Sequence, residues 1–137
     1  MKRVLIADDE PIERMIVTRT IQKYFPEELA VVSAANGREA VEQFFAENCQ
    51  IALLDIEMPG MNGLEAAEQI RERDKNCSII FLTAFDEFNY AKRAIAVRAM
   101  EYLLKPVEDQ ELEAVLAEAI RIADEHTDDR EAGEKKE

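Results

Sequence analysis

The stretch Ile51–Gly63, IALLDIEMPGMNG, decides how the rest of the chain is read. It opens with four apolar residues, Ile51–Leu54. Asp55, Ile56, Glu57 and Met58 follow, then the turn residues Pro59, Gly60, Asn62 and Gly63. A short apolar run bounded by turn residues fits a strand buried on both faces. A piece of buried helix would give a similar run, but the brevity and the Pro/Gly punctuation favour a strand. A carboxylate at the end of a buried strand is costly unless a cation or donor compensates its charge. Asp55 therefore predicts a neighbour that can do so.

The same pattern recurs on either side. Lys2–Ala7 contains VLIA and runs into Asp8, Asp9 and Glu10, and Leu29–Ala34 is a further apolar run. Ser78–Leu82 (SIIFL) ends in Thr83-Ala84, and Tyr102-Leu103-Leu104 ends in Lys105-Pro106. Helical patterns fill the gaps. Pro11 suits a first turn with an acidic residue before it as cap. Ile12, Met15, Ile16, Ile21, Tyr24 and Phe25 then recur at helical intervals, with Pro26 beyond. Ala40, Val41, Phe44 and Phe45 form one face of a second helix after Asn36-Gly37. Leu64–Arg73 reads as a third helix, a fourth opens at Asp86 or Glu87 and ends near Val97, and Asp109–Ala123 is the last. Strands alternating with amphipathic helices predict parallel pairing through right-handed crossovers. The expected architecture is α/β: a doubly wound, five-stranded parallel sheet, (βα)5, over residues 1–125. The charged stretch 126–137 reads as a frayed or disordered tail.

Bulk properties narrow the function. A chain of 137 residues with 47% apolar content can build one domain with a core. A net charge of −13 argues against non-specific binding to nucleic acid or anionic membrane. No apolar run approaches the roughly 20 residues of a membrane span, and acids interrupt the N-terminal apolar stretch too early for a signal peptide. Cys49 and Cys77 set no disulfide framework in a chain of this size. Two reduced thiols in a cytoplasmic protein is the expected state.

Open sheets of this kind bind ligands outside the carboxyl ends of their strands. That rule gathers Asp8, Asp9, Asp55, Thr83 and Lys105 into one place. Three clustered carboxylates repel one another and raise their own pKa values. Lys105 offsets one charge at most, so a hard divalent cation such as Mg²⁺ is expected, commonly shared with a phosphate. Lys and Thr suit that phosphate by charge and hydrogen bond. Asp55, on the central strand, is the best placed to attack phosphorus and form an aspartyl phosphate. Asp8 or Asp9 alone could equally be a helix cap. Five such residues at corresponding strand ends are poorly explained by chance.

In Asp8-Asp9, the segment from Asp55 to Gly63, Thr83-Ala84 and Lys105-Pro106, the chain resembles the receiver domains of two-component response regulators. These have the CheY-like, flavodoxin-like fold, and the match runs from Lys2 to about Ala123. The resemblance implies that Asp55 is the phosphoacceptor. It implies that Asp9 and Asp55 bind Mg²⁺ by side chains, Glu57 by its backbone carbonyl and Asp8 through water. Thr83 and Lys105 would hold the phosphoryl group with help from the Ala84 N–H, and the Lys105–Pro106 peptide would be cis. Tyr102 matches the family's aromatic switch position or is an ordinary half-buried strand tyrosine. The implied partners are a sensor histidine kinase and a second copy through the face of the fourth helix, fifth strand and fifth helix. TAFDEFNYAKRAI and YLLKPV resemble receivers joined to AraC-type helix-turn-helix outputs. DNA would then be reached only through an output domain absent from this chain. Arg98 stands where receivers usually have Gly in a left-handed corner, which predicts a departure there.

Two rival functions use the same residues. A Mg²⁺-dependent phosphohydrolase of the haloacid-dehalogenase type would want a second Asp where Glu57 stands, and the chain is short for a capping domain. A phosphorylation-independent interaction module would not need intact acids, Thr83 and Lys105. His126 has no partner cluster in sequence, and Met58, Met61 and Met100 read as gap fillers. Phe85, Phe88 and Tyr90 read as packing residues.

Overall fold

The computed structural model describes the backbone of residues 1–135 and the side chains of residues 1–127. Its elements alternate strictly. They are β1 (Lys2–Ala7), α1 (Pro11–Tyr24), β2 (Leu29–Ala34), α2 (Gly37–Ala46), β3 (Ile51–Leu54), α3 (Gly63–Arg73), β4 (Ser78–Thr83), α4 (Phe88–Ala96), β5 (Glu101–Leu104) and α5 (Asp109–Lys135). All five strands are parallel, in the order β2-β1-β3-β4-β5. This is the expected flavodoxin-like α/β sheet, with β3 at its centre.

Helices on both faces explain the apolar runs. Every residue of β3 and of β4 is buried. Successive residues of β1 alternate between two cores: Leu5 joins Ala40, Phe44, Leu64 and Ile70 on one face, while Val4 and Ile6 join Val17, Ile21 and Leu116 on the other. Burying such a side chain contributes about 1.5–3 kcal/mol, and each helix layer dries one face of the sheet.

On α1 and near α4 the structure differs from three expectations. On α1 only Val17 and Ile21 are buried, whereas Ile12, Met15 and Ile16 are 66%, 45% and 51% exposed. The helix docks through its later turns, and its first turns lean out beside the strand ends. Its N-cap residue, Glu10, makes no side-chain cap bond; Asp8 Oδ1 instead accepts from the Glu10 N–H at 2.9 Å. In and just before α4, Phe85 and Phe88 are exposed rather than packed, and Tyr90 alone of the three lies against the core.

The last helix runs to Lys135, well past Ala123. The start of the extension is tied to the first strand: Lys2 Nζ donates to Thr127 Oγ1 at 2.6 Å and lies 3.5 Å from Asp124 Oδ1. Residues 136–137 of the expected tail lie outside those described. Among the described residues no helix is long and apolar enough to cross a membrane.

The expected departure at Arg98 does not occur. Arg98 adopts the left-handed conformation itself, with φ 57°. The corner closes by Arg98 N–H to the Ile95 carbonyl at 2.9 Å and Ala99 N–H to the Ala94 carbonyl at 3.0 Å. Arg71 explains how a non-glycine is held there. Its buried guanidinium donates to the carbonyls of Val97 at 2.7 Å, Arg98 at 3.2 Å and Cys77 at 2.8 Å.

Candidate functional site

The parallel ladder places the site residues one step past their strands. The Asp8 N–H donates to the Ala34 carbonyl at 3.2 Å, the Asp55 N–H to the Ala7 carbonyl at 2.9 Å, and the Lys105 N–H to the Thr83 carbonyl at 2.8 Å. Each side chain therefore leaves the sheet where its own strand has just ended and its neighbour still holds the backbone. The β3–α3 turn is equally constrained. A Cβ at Gly63 would lie 2.0 Å from the Asp55 carbonyl oxygen, so only glycine fits. Asn62 caps α3 by accepting from the Glu65 N–H at 2.9 Å, and Glu65 Oε1 accepts from the Asn62 N–H at 3.2 Å.

The carboxylates meet. Oxygens of Asp8, Asp9 and Asp55 all lie within 4.8 Å of one another. Lys105 Nζ donates to Asp8 Oδ2 at 3.0 Å and lies 3.8 Å from Asp55 Oδ2. Burial pushes the Asp55 carboxyl up to about 6. Lys105 opposes that rise, and the charges of Asp8 and Asp9 add to it. Burial alone would lower the Lys105 ammonium. The hydrogen bond to Asp8 and the charges of Asp55, Asp8 and Glu13 outweigh it and raise the group. Three oxygen donors on one side with too few cations are a donor set for a hard divalent ion, and Mg²⁺ fits it.

Thr83 is fully buried, and its hydroxyl oxygen accepts from the Phe85 N–H at 3.2 Å, leaving its own proton free to be donated. Ala84 lines the same cavity of about 710 Å³ as Asp9, Asp55, Glu57 and Lys105. The Lys105–Pro106 peptide is cis. Tyr102 lies half-buried, 6.3 Å centroid to centroid from Phe81, and its hydroxyl donates to the Phe85 carbonyl at 2.6 Å. The Tyr90 hydroxyl on α4 donates to the Glu57 carboxylate.

Glu13 was not singled out by the sequence. It stands on α1, four residues after Asp9, with Oε2 3.8 Å from Lys105 Nζ. Its place in the first turn of α1, just after the acidic pair, was the available signal. Cys49 and Cys77 lie at the opposite end of the sheet, lining one small cavity with His126. Burial raises their thiols to about 11 and about 12, which keeps them protonated.

This fold and donor set define a class, and the comparisons agree with it. Residues 4–117 match the response regulator receiver domain family, and the chain belongs to that family, the receiver domains of two-component signalling. It is 41% identical over 118 residues to the positive alginate biosynthesis regulatory protein of Pseudomonas aeruginosa, covering 86% of this chain and 47% of that protein. It is 34% identical over 120 residues to the transcriptional regulatory protein YesN of Bacillus subtilis, covering 88% of this chain and 33% of that one. The chain thus spans about half or less of these relatives. Among solved structures, response regulator TrrA of Thermotoga maritima in complex with Mg²⁺-BeF superposes with a TM-score of 0.77 at 38% identity, covering 87% of this chain and 99% of that one. The REC domain of AraT, a response regulator from Geobacillus stearothermophilus, superposes with a TM-score of 0.81 at 35% identity, covering 92% and 98%.

Proposed function

We infer that Asp55 is the phosphoacceptor of this receiver and takes its phosphoryl group from a sensor histidine kinase. The observation that carries the reading is the placement of Asp55 at the end of the central strand, with Lys105 Nζ 3.8 Å away and two further carboxylates around it. An Asp55 carboxylate oxygen attacks phosphorus. The P–N bond to the donor imidazole breaks, and that nitrogen keeps the electron pair and takes a proton. Asp9 and Asp55 side chains and the Glu57 carbonyl would hold Mg²⁺, with Asp8 acting through water. The ion supplies charge neutralisation for the carboxylates and the phosphoryl oxygens. Lys105 pairs with one phosphoryl oxygen, the Thr83 hydroxyl donates to another, and the Ala84 N–H assists. Movement of Thr83 then shifts Tyr102 and biases the α4–β5–α5 face. Exposed Phe88, Ile95 and Leu104 on that face suit a second copy or an output domain. The resemblance of Thr83–Ile95 and Tyr102–Val107 to receivers with AraC-type outputs suggests that kind of output for this receiver, and the domain acts in the cytoplasm.

The test is acyl-phosphate formation from acetyl phosphate or phosphoramidate with Mg²⁺, read by intact mass. Wild type should gain one phosphoryl group, and Asp55→Asn should gain none. Equal labelling of the two would end the assignment.

A further inference from the structure

We propose that Glu13 is a positioning residue for the phosphoryl site: it draws the Lys105 ammonium towards α1 and so weakens the hold of Lys105 on a phosphoryl group carried by Asp55. This rests on the reading of Asp55 as phosphoacceptor. Lys105 Nζ has three carboxylates around it, Asp8 at 3.0 Å and Glu13 and Asp55 at 3.8 Å each. Asp8 and Asp55 belong to the clustered acids, but Glu13 does not. Its charge is therefore not part of the candidate cation donor set. It borders the same cavity from the α1 side, so it competes for Lys105 whether or not the acids are neutralised by a metal.

A phosphoryl group on Asp55 needs Lys105 to turn towards its oxygens. Each contact that Lys105 keeps with Glu13 opposes that turn. The Lys105 side chain is 18% exposed and that of Glu13 36% exposed. Partly exposed ion pairs of this kind shift equilibria by about two- to fivefold. Glu13 thus sets how tightly the site grips a phosphoryl group rather than whether it does.

Beryllofluoride with saturating Mg²⁺ stands in for a phosphoryl group on a carboxylate, and its affinity can be read by calorimetric titration of the whole chain. Glu13→Gln should bind about two- to fivefold more tightly than wild type. Lys105→Met should bind more weakly, and Glu13→Gln should add nothing in the Lys105→Met background, as a double-mutant cycle requires of a residue acting through Lys105. Unchanged or weaker binding by Glu13→Gln would overturn the proposal. So would an equal gain with and without Lys105, which would mean direct repulsion of the anion by Glu13. If Asp55→Asn bound beryllofluoride as wild type does, the phosphoacceptor reading would fail first and Glu13 with it.

Discussion

Asp55→Asn should stabilise the domain at neutral pH, and the gain should vanish in acid. Burial lifts the Asp55 carboxyl from its ordinary 3.8 to about 6. A folded-state value above the unfolded one means that the protonated form favours the fold. That contribution is complete below pH 3.8 and is lost as pH rises through about 6. The rise from 3.8 to about 6, at 1.36 kcal/mol for each pH unit, makes an ionised Asp55 cost about 3 kcal/mol. The attraction of Lys105 is already counted in that net value, because Lys105 is one of the groups setting it. Asn is close in shape and never ionises. Urea unfolding with a chelator present should therefore find Asp55→Asn more stable by about 3 kcal/mol at about pH 8, and by only about 0.5 kcal/mol at about pH 4. A difference that is absent at pH 8, or that grows in acid, would refute the claim that burial and crowding of Asp55 store this energy.

Other outcomes follow from the same geometry. Mg²⁺ at about a hundred times its dissociation constant should stabilise wild type by about 2.7 kcal/mol, and Asp9→Asn should lose most of that gain in thermal melts. Gly63→Ala forces a Cβ into the Asp55 carbonyl, 2.0 Å away. It should destabilise the fold by more than about 1 kcal/mol and lower phosphoryl labelling, because the same backbone carries Asp55, the proposed acceptor. Arg98→Gly relieves a side chain from the left-handed region at φ 57° and should raise stability by about 1 kcal/mol in denaturant titrations. Arg71 keeps its acceptors in that variant, so the corner itself should not change.

The order of strands and helices was legible because both periodicities are strong and the breaks carry Pro, Gly and Asn. The parallel sheet follows from alternation alone, and the strand-end rule brings Asp8, Asp9, Asp55, Thr83 and Lys105 to one end of it. What periodicity could not say was which turns of a helix touch the sheet. Ile12, Met15 and Ile16 have the right spacing yet stay exposed, and Ile16 borders the cavity at the strand ends instead of entering the core. The length of α5 is not legible in periodicity because its later residues carry no apolar stripe, and the contacts of Asp124 and Thr127 come from Lys2 at the other end of the chain.

The residues themselves determined the chemistry available: acids, a hydroxyl and an ammonium at the ends of buried strands, in a chain too acidic to hold phosphate without help. Only tertiary structure decided how Lys105 divides its charge among Asp8, Asp55 and Glu13, since those carboxylates come from three different elements. It also decided that Arg98 could occupy a glycine's corner, because the guanidinium that holds it comes from α3 and not from the corner. Local preference sets what each segment can be. Distances between segments are set by packing, and charge interactions depend on those distances.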